Sequence, residues 1–477
     1  MKLCLSVAPR SMEEAIALLR QYHRRIGLVE VRVDLMKRVD FGELLRRPRP
    51  DVIITNRRHG EGGSFSGTAS GQLDVLSTAA RFGAEYVDVE LSWGTKMIRR
   101  LISLSAGAKT IVSHHDMNAT PGNLGAVYQR ARSLEPDVVK IAVMARSIAD
   151  NRAVFDLCER AKSDRQPLIA LCMGEHGEIS RILAARLGAF LTFGAVAESS
   201  VTAPGQLTYD QLNNVFRVQK LNSRTKLFGL IGNPVKQSRG IFYHNAIFKR
   251  RGLNAVYVNL LTDDMDRFFE TLSGPFTGFS VTMPFKQQVV PYVHRLEGDA
   301  GSLGIVNTIV RRRHLLFGYN TDLPALAGIL KKRLNLRSKR VAIIGTGATA
   351  KTMAFLCVNS GAKSTIVGRD AGKARRLAAE MNVDWNTPEE LTDIGCDLLM
   401  NATPANMGTN QSGGMRPLLI PTSAFRKGMV VFDAVYEPAA TPMLRHAEMS
   451  GCTVISGLEL FRRQARLQSR LFLEAIS

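Results

Sequence analysis

The sequence predicts an α/β protein in two parts: a closed barrel of eight β/α units, then a second α/β region ending in a glycine-turn module. Three observations carry this. Short β-rich runs recur roughly every 20–35 residues over the first 218 or so, with helix-like segments between them. Repeated units of this size favour a parallel sheet, and eight of them in one domain favour a TIM-type barrel. The pattern then restarts after the polar, basic stretch QKLNSRTKLFG (219–229). Finally, KRVAIIGTGATAKTMAFLCVNSGAKSTIVGRD (339–370) reads as strand, glycine turn, helix and strand, the opening of a Rossmann domain.

The eight runs are LCLSVA (3–8), LVEVRVD (28–34), DVIITNR (51–57), YVDVELS (86–92), KTIVSHHD (109–116), VVKIAVMA (138–145), PLIALCM (167–173) and FLTFGAV (190–196). Polar residues gather near their C-terminal ends: Glu30, Arg32 and Asp34, then Arg57, Glu90, His115 and Asp116. That face carries the active site in β/α barrels. The expected boundaries are a barrel over 1–218, a linker over 219–226, a substrate domain over 227–325, and a Rossmann domain over 326–456. Residues 457–477 are expected to form a helix that rejoins the substrate domain.

Composition narrows the function. The 477 residues carry a formal net charge of +21, which attracts anions. No nucleic-acid-binding module or aromatic-interleaved basic stripe is present, so small acidic metabolites are the expected partners. Six scattered cysteines form no zinc or disulfide pattern, and no metal is expected. The apolar run Leu3–Ala8 is too short for a secretory signal, and none reaches membrane-spanning length. The expected location is the cytoplasm.

Lys140 interrupts the apolar run EPDVVKIAVMA (135–145). A buried ammonium costs several kcal/mol unless it is paired or loses its proton. It can snorkel to solvent or pair with a glutamate. A desolvated lysine can also act as a neutral amine that forms an imine with a ketone. The imine acidifies the neighbouring C–H, and a base must take that proton. His115 is a candidate, although His114 beside it faces the other side of the strand. Glu90 or Glu30 could orient the imidazole. Arg32, Arg57 and Arg181 are candidates to hold an anionic substrate.

Residues 1–218 resemble type I 3-dehydroquinate dehydratase. The matching segments are EVRVD (30–34), NRRHGEGGSF (56–65), SHHDM (113–117), VVKIAVMA (138–145), MGEHGEISR (173–181), TFGAV (192–196) and TAPGQL (202–207). The resemblance implies that Lys140 forms the Schiff base and that His115 is the general acid–base. Glu61 would set the histidine. Glu30, Arg32, Arg57, Arg181, Thr202 and Gln206 would bind 3-dehydroquinate, with Met173 and Phe193 lining the pocket. Thr202 stands where the family has serine and keeps the hydroxyl.

In the second half, VAIIGTGATAKT (341–352) gives G-x-G-x-x-A after an apolar strand. Its glycines allow a tight turn and close approach of backbone to a pyrophosphate. The next strand ends at Arg369 rather than at an acid, which favours NADP over NAD; Asp370 beside it blurs the inference. GFSVTMPFKQQV (278–289) and GYNTDLPAL (318–326) supply an amine, Lys286, and a carboxylate, Asp322. Such a pair suits moving a proton to a carbonyl oxygen as hydride arrives.

Residues 226–477 resemble shikimate dehydrogenase. The segments are GLIGNPVKQS (229–238), SVTMPFK (280–286), GIVNT (304–308), YNTD (319–322), GTGATAK (345–351), NATPANMG (401–408), VFDAVYEPAATPML (431–444) and GLELFRRQA (457–465). The resemblance implies Lys286 and Asp322 as the catalytic pair. Ser238, Thr282, Asn307, Tyr436 and Gln464 would bind 3-dehydroshikimate or shikimate. Gly345, Gly347, Ala348, Arg369, Asn401 and Thr403 would lie on the NADP side. Where the family usually has Ser-x-Ser, this chain has Ser238-Arg239-Gly240. The missing hydroxyl opens space for the extra C1 hydroxyl of quinate, unless Arg239 supplies the lost contact. The expectation is therefore a bifunctional enzyme that dehydrates 3-dehydroquinate and then reduces the product with NADPH. The alternative is a second half acting as a quinate dehydrogenase.

Overall fold

A computed structural model describes residues 1–105, 107–391, 395–405 and 420–476. The last three residues of the NATPANMG motif lie outside the described residues. The chain divides into two compact units, Met1–Leu227 with Asn245–Pro275, and Phe228–His244 with Phe276–Ser477.

The first unit holds eight parallel strands: β1 (Lys2–Val7), β2 (Leu28–Arg32), β3 (Asp51–Thr55), β4 (Tyr86–Glu90), β5 (Lys109–Asp116), β6 (Val138–Met144), β7 (Leu168–Met173) and β8 (Leu191–Ala195). Their order is β7-β6-β5-β4-β3-β2-β1-β8. The ends of this sheet meet where the Phe190 N–H donates to the Leu168 carbonyl at 2.8 Å. All eight strands fall on the runs expected from sequence.

The strand period of two divides each strand's side chains between two clusters. On β6, Val139, Ile141 and Val143 face the layer of helices. Val138, Lys140 and Ala142 share the opposite parity; Val138 and Ala142 pack in the barrel interior, and Lys140 lines its mouth. That alternation places Lys140 inside. Residues 245–275, which include β10 (Ala255–Leu261), are fixed to this unit by named contacts. His176 Nδ1 lies 3.1 Å from the Leu261 carbonyl, and Arg267 pairs with Asp150 at 3.3 Å.

In the second unit, β9 (Lys226–Gly232), β11 (Phe276–Val281), β13 (Thr308–Arg312), β14 (Leu315–Tyr319) and β12 (Arg295–Leu296) lie side by side in a mixed sheet. Gly232 ends β9 because nothing larger fits: a Cβ there would lie 2.3 Å from the Thr282 methyl. The helix Gly457–Ile476 packs onto this sheet through Phe472, whose ring centroid is 4.7 Å from that of Phe228. Its Gln468 donates to the Asn307 carbonyl and the Thr308 hydroxyl, both at 3.0 Å.

The other sheet is parallel, in the order β17-β16-β15-β18-β19-β20, with β15 (Arg340–Ile344), β16 (Lys363–Val367), β17 (Asp384–Asn386), β18 (Leu398–Asn401), β19 (Val430–Asp433) and β20 (Thr453–Ser456). The order reverses beside β15, the position where such sheets bind ligands. No helix among the described residues is long and apolar enough to cross a membrane.

Candidate active sites

One cavity at the C-terminal mouth of the barrel collects the first-half residues that the dehydratase resemblance implies, but not Asp34, Glu90, His114 or Asp116. Glu30, Arg32, Arg57, Glu61, His115, Lys140, Arg181, Thr202 and Gln206 all line it, with Met173 and Phe193. Lys140 rises from mid-β6, with Nζ 2.9 Å from Asp88 Oδ2 and 3.3 Å from Glu30 Oε1. Its Nζ also lies 4.6 Å from the Phe193 ring centroid. Of the fates open to a lysine here, this structure shows pairing inside the barrel, with the amine still bordering the cavity.

Asp88 was not singled out from sequence, and it is central. Its Oδ1 accepts the Ser113 hydroxyl at 2.6 Å and pairs with Arg57 Nη2 at 2.8 Å. Its carboxyl is fully buried, which disfavours ionisation. Arg57 and Lys140 outweigh that penalty and hold its pKa well below the usual carboxylate range. The readable signal was Asp88 and Glu90 two apart in an otherwise apolar strand, facing one side.

His115, not His114, lines the cavity. Neither Glu30 nor Glu90 orients it. Glu30 accepts from Ser6 at 2.6 Å and Thr55 at 3.0 Å. Glu90 accepts from Trp93 Nε1 at 2.9 Å and from the Arg58 N–H at 2.9 Å. Glu61 does the orienting: its Oε2 lies 3.0 Å from the His115 backbone N and 3.1 Å from Nδ1. An ionised Glu61 accepts a hydrogen bond from Nδ1–H, so Nε2 keeps its lone pair. Burial, with Arg57 and Lys140 close by, pushes the imidazole well below its ordinary pKa. His115 is therefore neutral near pH 7 and competent as a base. Burial also raises the Glu61 carboxyl.

Arg181 differs from the other cations. It is 1% exposed, and its Nε has no hydrogen-bond partner among the described residues. Nη2 reaches only the Pro204 carbonyl, at 3.2 Å. Burial pushes its pKa down to about 10. A buried guanidinium without a carboxylate is costly, and an anionic ligand would relieve it. Gln206 receives both the N–H and the hydroxyl of Thr202, at 2.8 and 3.0 Å, and Thr202 Oγ1 also lies 2.9 Å from Ser6 Oγ. The threonine thus takes part in the network that a serine hydroxyl would serve.

In the second unit, Lys286 Nζ lies 2.7 Å from Asp322 Oδ2, both slightly exposed. Asp322 starts the helix Asp322–Leu330, capped where Asn320 Oδ1 accepts the Leu323 N–H at 3.0 Å. Beside it, Asn307 Oδ1 accepts the N–H and hydroxyl of Thr321, at 2.8 and 3.1 Å. Thr321 also reaches Gln464 Oε1 at 3.4 Å. Thr321 was missed from sequence. Thr282 follows β11, its N–H bonded to the Ile231 carbonyl at 2.9 Å.

Ser238 and Tyr436 make local contacts of their own. Ser238 Oγ accepts the Gly240 N–H at 3.2 Å, and the Tyr436 hydroxyl donates to the Gln237 carbonyl at 3.4 Å. Arg239 pairs with Glu437.

The glycine turn has the form the sequence requires. Gly345 adopts φ +120°, a conformation closed to L side chains, and Thr403 Cγ2 would stand 3.1 Å from any Cβ there. Gly347 precedes the helix Ala348–Asn359 without a side-chain cap, leaving its first N–H groups to an outside acceptor. Arg369 is exposed after β16. Asp370 turns away to cap the next helix, accepting the Lys373 N–H at 3.0 Å. Its carboxylate is thereby committed. Asn401 and Thr403 brace the turn from β18: Asn401 donates to buried Asp433 at 2.9 Å and accepts the Thr403 hydroxyl at 2.7 Å.

Comparison with known proteins assigns the two halves of the sequence to different families, with residues 245–275 matched to the second although they pack in the barrel unit. The family described as type I 3-dehydroquinase matches residues 3–223. The shikimate dehydrogenase substrate binding domain matches 230–309, and the shikimate/quinate 5-dehydrogenase family matches 328–420. The fold and these matches define a fusion of a lyase barrel with an oxidoreductase. A curated relative, the chloroplastic bifunctional 3-dehydroquinate dehydratase/shikimate dehydrogenase of Arabidopsis thaliana, is 34% identical over 98% of this chain and 81% of its own. The shikimate biosynthesis protein AroDE of Chlamydia pneumoniae is 28% identical over 98% of this chain and 95% of its own. A solved dehydroquinate dehydratase and shikimate dehydrogenase, AroM of S. pombe, shares 25% identity over 100% of this chain and 98% of that one, with a TM-score of 0.41. This chain belongs to the bifunctional 3-dehydroquinate dehydratase/shikimate dehydrogenase family.

Proposed function

We propose that the chain runs two consecutive steps of the shikimate pathway, dehydrating 3-dehydroquinate in the barrel and reducing 3-dehydroshikimate to shikimate in the second half. The carrying observation is the barrel cavity: an amine, a neutral imidazole with one free nitrogen, and an unpaired buried guanidinium border one space. Arg181 receives the substrate carboxylate, a charge-assisted contact that also relieves its own burial. Lys140 forms an imine with the ketone, with loss of water. His115 Nε2 removes the adjacent proton, and Glu61 stabilises the resulting imidazolium. The same proton then leaves with the departing hydroxyl as water. Hydrolysis of the imine frees the product and restores Lys140.

The second half has residues that fit NADP: the open helix N-terminus after Gly347 for the pyrophosphate, and Arg369 for the 2′-phosphate, with Asp370 withdrawn. Bound NADPH supplies the hydride. Lys286, held by Asp322, gives the proton to the carbonyl oxygen. Asn307, Thr321 and Gln464 form the amide-rich wall for the ring hydroxyls. The proposed functional boundaries are the barrel over 1–218, the substrate domain over 227–325 with the helix 457–477, and the NADP domain over 326–456. Cytoplasmic location is supported by the six free cysteines.

A second reading has its own observation. Gly240 brings no hydroxyl, and Arg239 is occupied by Glu437, so neither replaces the family's second serine. The reductase half then accepts quinate chemistry as well. Purified protein given 3-dehydroquinate and NADPH distinguishes the two by product: shikimate supports the consecutive reading, and quinate supports direct reduction.

A further inference from the structure

The Glu61–His115 pair has a second support, on β4's side of the barrel mouth. Glu61 uses Oε2 for His115; its Oε1 accepts a hydrogen bond from Ser92 Oγ at 2.6 Å. Ser92 follows β4 in the short turn Leu91–Trp93. Arg58 Nη1 donates to the same Ser92 Oγ at 3.1 Å, and its guanidinium lies 4.6 Å from the Trp93 ring centroid. A guanidinium can only donate, so it occupies a lone pair of the serine and turns the hydroxyl proton toward Glu61.

We propose that Ser92 is a positioning residue for the dehydration step, fixing the Glu61 carboxylate so that it stays ionised and aligned on His115. This rests on the reading of His115 as the general acid–base. When His115 takes the substrate proton it becomes an imidazolium, and an ionised Glu61 stabilises that charge through its hydrogen bond at Nδ1, with Asp88 as a second negative charge nearby. Burial works against the ionised form, while the Ser92 hydroxyl and Arg57 favour it and Glu90 opposes it. On the other side, His115 faces Arg57, Lys140, Asp88 and Arg32. None of these reaches Glu61 Oε1 by a hydrogen bond among the described residues, so the serine is the local donor to that oxygen. Ser92 is exposed, and its side chain can be changed without opening the core.

The test uses the full-length protein and compares Ser92→Ala, Ser92→Thr and Glu61→Gln. Loss of the donor raises the pH at which Glu61 protonates, so the acid limb of the kcat profile moves toward neutral. The expected shift for Ser92→Ala is about one pH unit, equivalent to a tenfold change in the ionised fraction on the limb. kcat should fall about three- to tenfold near neutral pH, with KM little changed. Ser92→Thr should restore the wild-type limb. Reduction of 3-dehydroshikimate by the same samples reports folding of the second half. A Ser92→Ala profile superimposed on wild type, with Glu61→Gln altered, overturns the role of Ser92 alone. An unaltered Glu61→Gln profile overturns the Glu61–His115 reading and this inference with it.

Discussion

Replacing Asp88 with asparagine removes one negative charge from the centre of the barrel's buried network. The carboxylate joins Lys140 at 2.9 Å, Arg57 at 2.8 Å and Ser113 at 2.6 Å. An amide keeps one acceptor oxygen but turns an NH2 toward Lys140 or Arg57, setting donor against donor. Removing one partner of a buried ion pair costs about 3–5 kcal/mol. Glu30 still reaches Lys140 at 3.3 Å and Glu90 still reaches Arg57 at 3.2 Å, which favours the lower end. At about 2–4 °C per kcal/mol for a unit of this size, the barrel should lose about 6–12 °C. Graded heating followed by assay of both residual activities reads the two units separately: dehydration should fail early and reduction should persist. The Asp88 pKa is depressed in the fold, so its stabilisation is present above the unfolded value of about 3.9 and fades as pH falls toward the folded one. The gap between wild type and variant should therefore narrow in acid. Inactivation within about 1 °C of wild type at neutral pH would refute the electrostatic account of this cluster.

Lys140→Met should abolish dehydration, and the mass adduct trapped by borohydride with 3-dehydroquinate should disappear while reduction continues. Lys286→Ala should cripple reduction only, and an unchanged rate of 3-dehydroshikimate reduction would remove Lys286 from the proton path. Arg181→Met should raise the dehydratase KM about ten- to a hundredfold, the range of a lost charged contact, without lowering heat resistance, because an unpaired buried charge has been removed. Gly240→Ser restores a hydroxyl beside Ser238; the ratio of shikimate to quinate oxidation should rise severalfold, and an unchanged ratio would end the quinate reading.

The barrel was legible because its strands are short runs of Val, Ile and Leu, separated by helices at a regular interval. That pattern follows from burying both faces of a parallel sheet. Lys140 stood out for the same reason, as a charge inside such a run. Its neighbours were less visible. Asp88 lies in YVDVELS, where alternation of apolar and acidic residues reads as an ordinary half-exposed strand; only the register of eight strands places that acid beside a lysine from β6. Choosing His115 over His114 required knowing which face of β5 turns inward. Glu61 sits in a loop, beyond the reach of strand parity, and was reached through family likeness alone. In the second half, the glycine turn and Lys286 were readable as local motifs. Thr321 was not, because its role depends on the Asn307 amide reaching it from the loop before β13.

The helix Gly457–Ile476 carries Gln464 to the reducing site and Gln468 to the backbone beneath it. The barrel cavity, by contrast, draws on residues only as far as Gln206. During synthesis the two sites are therefore completed at very different moments. A nascent chain exposes every dehydratase residue long before Gln464 leaves the ribosome, and domains generally fold in that order. A messenger interrupted before the codon for Gln464 would still encode the complete set of barrel side chains, while its reductase would lack that amide.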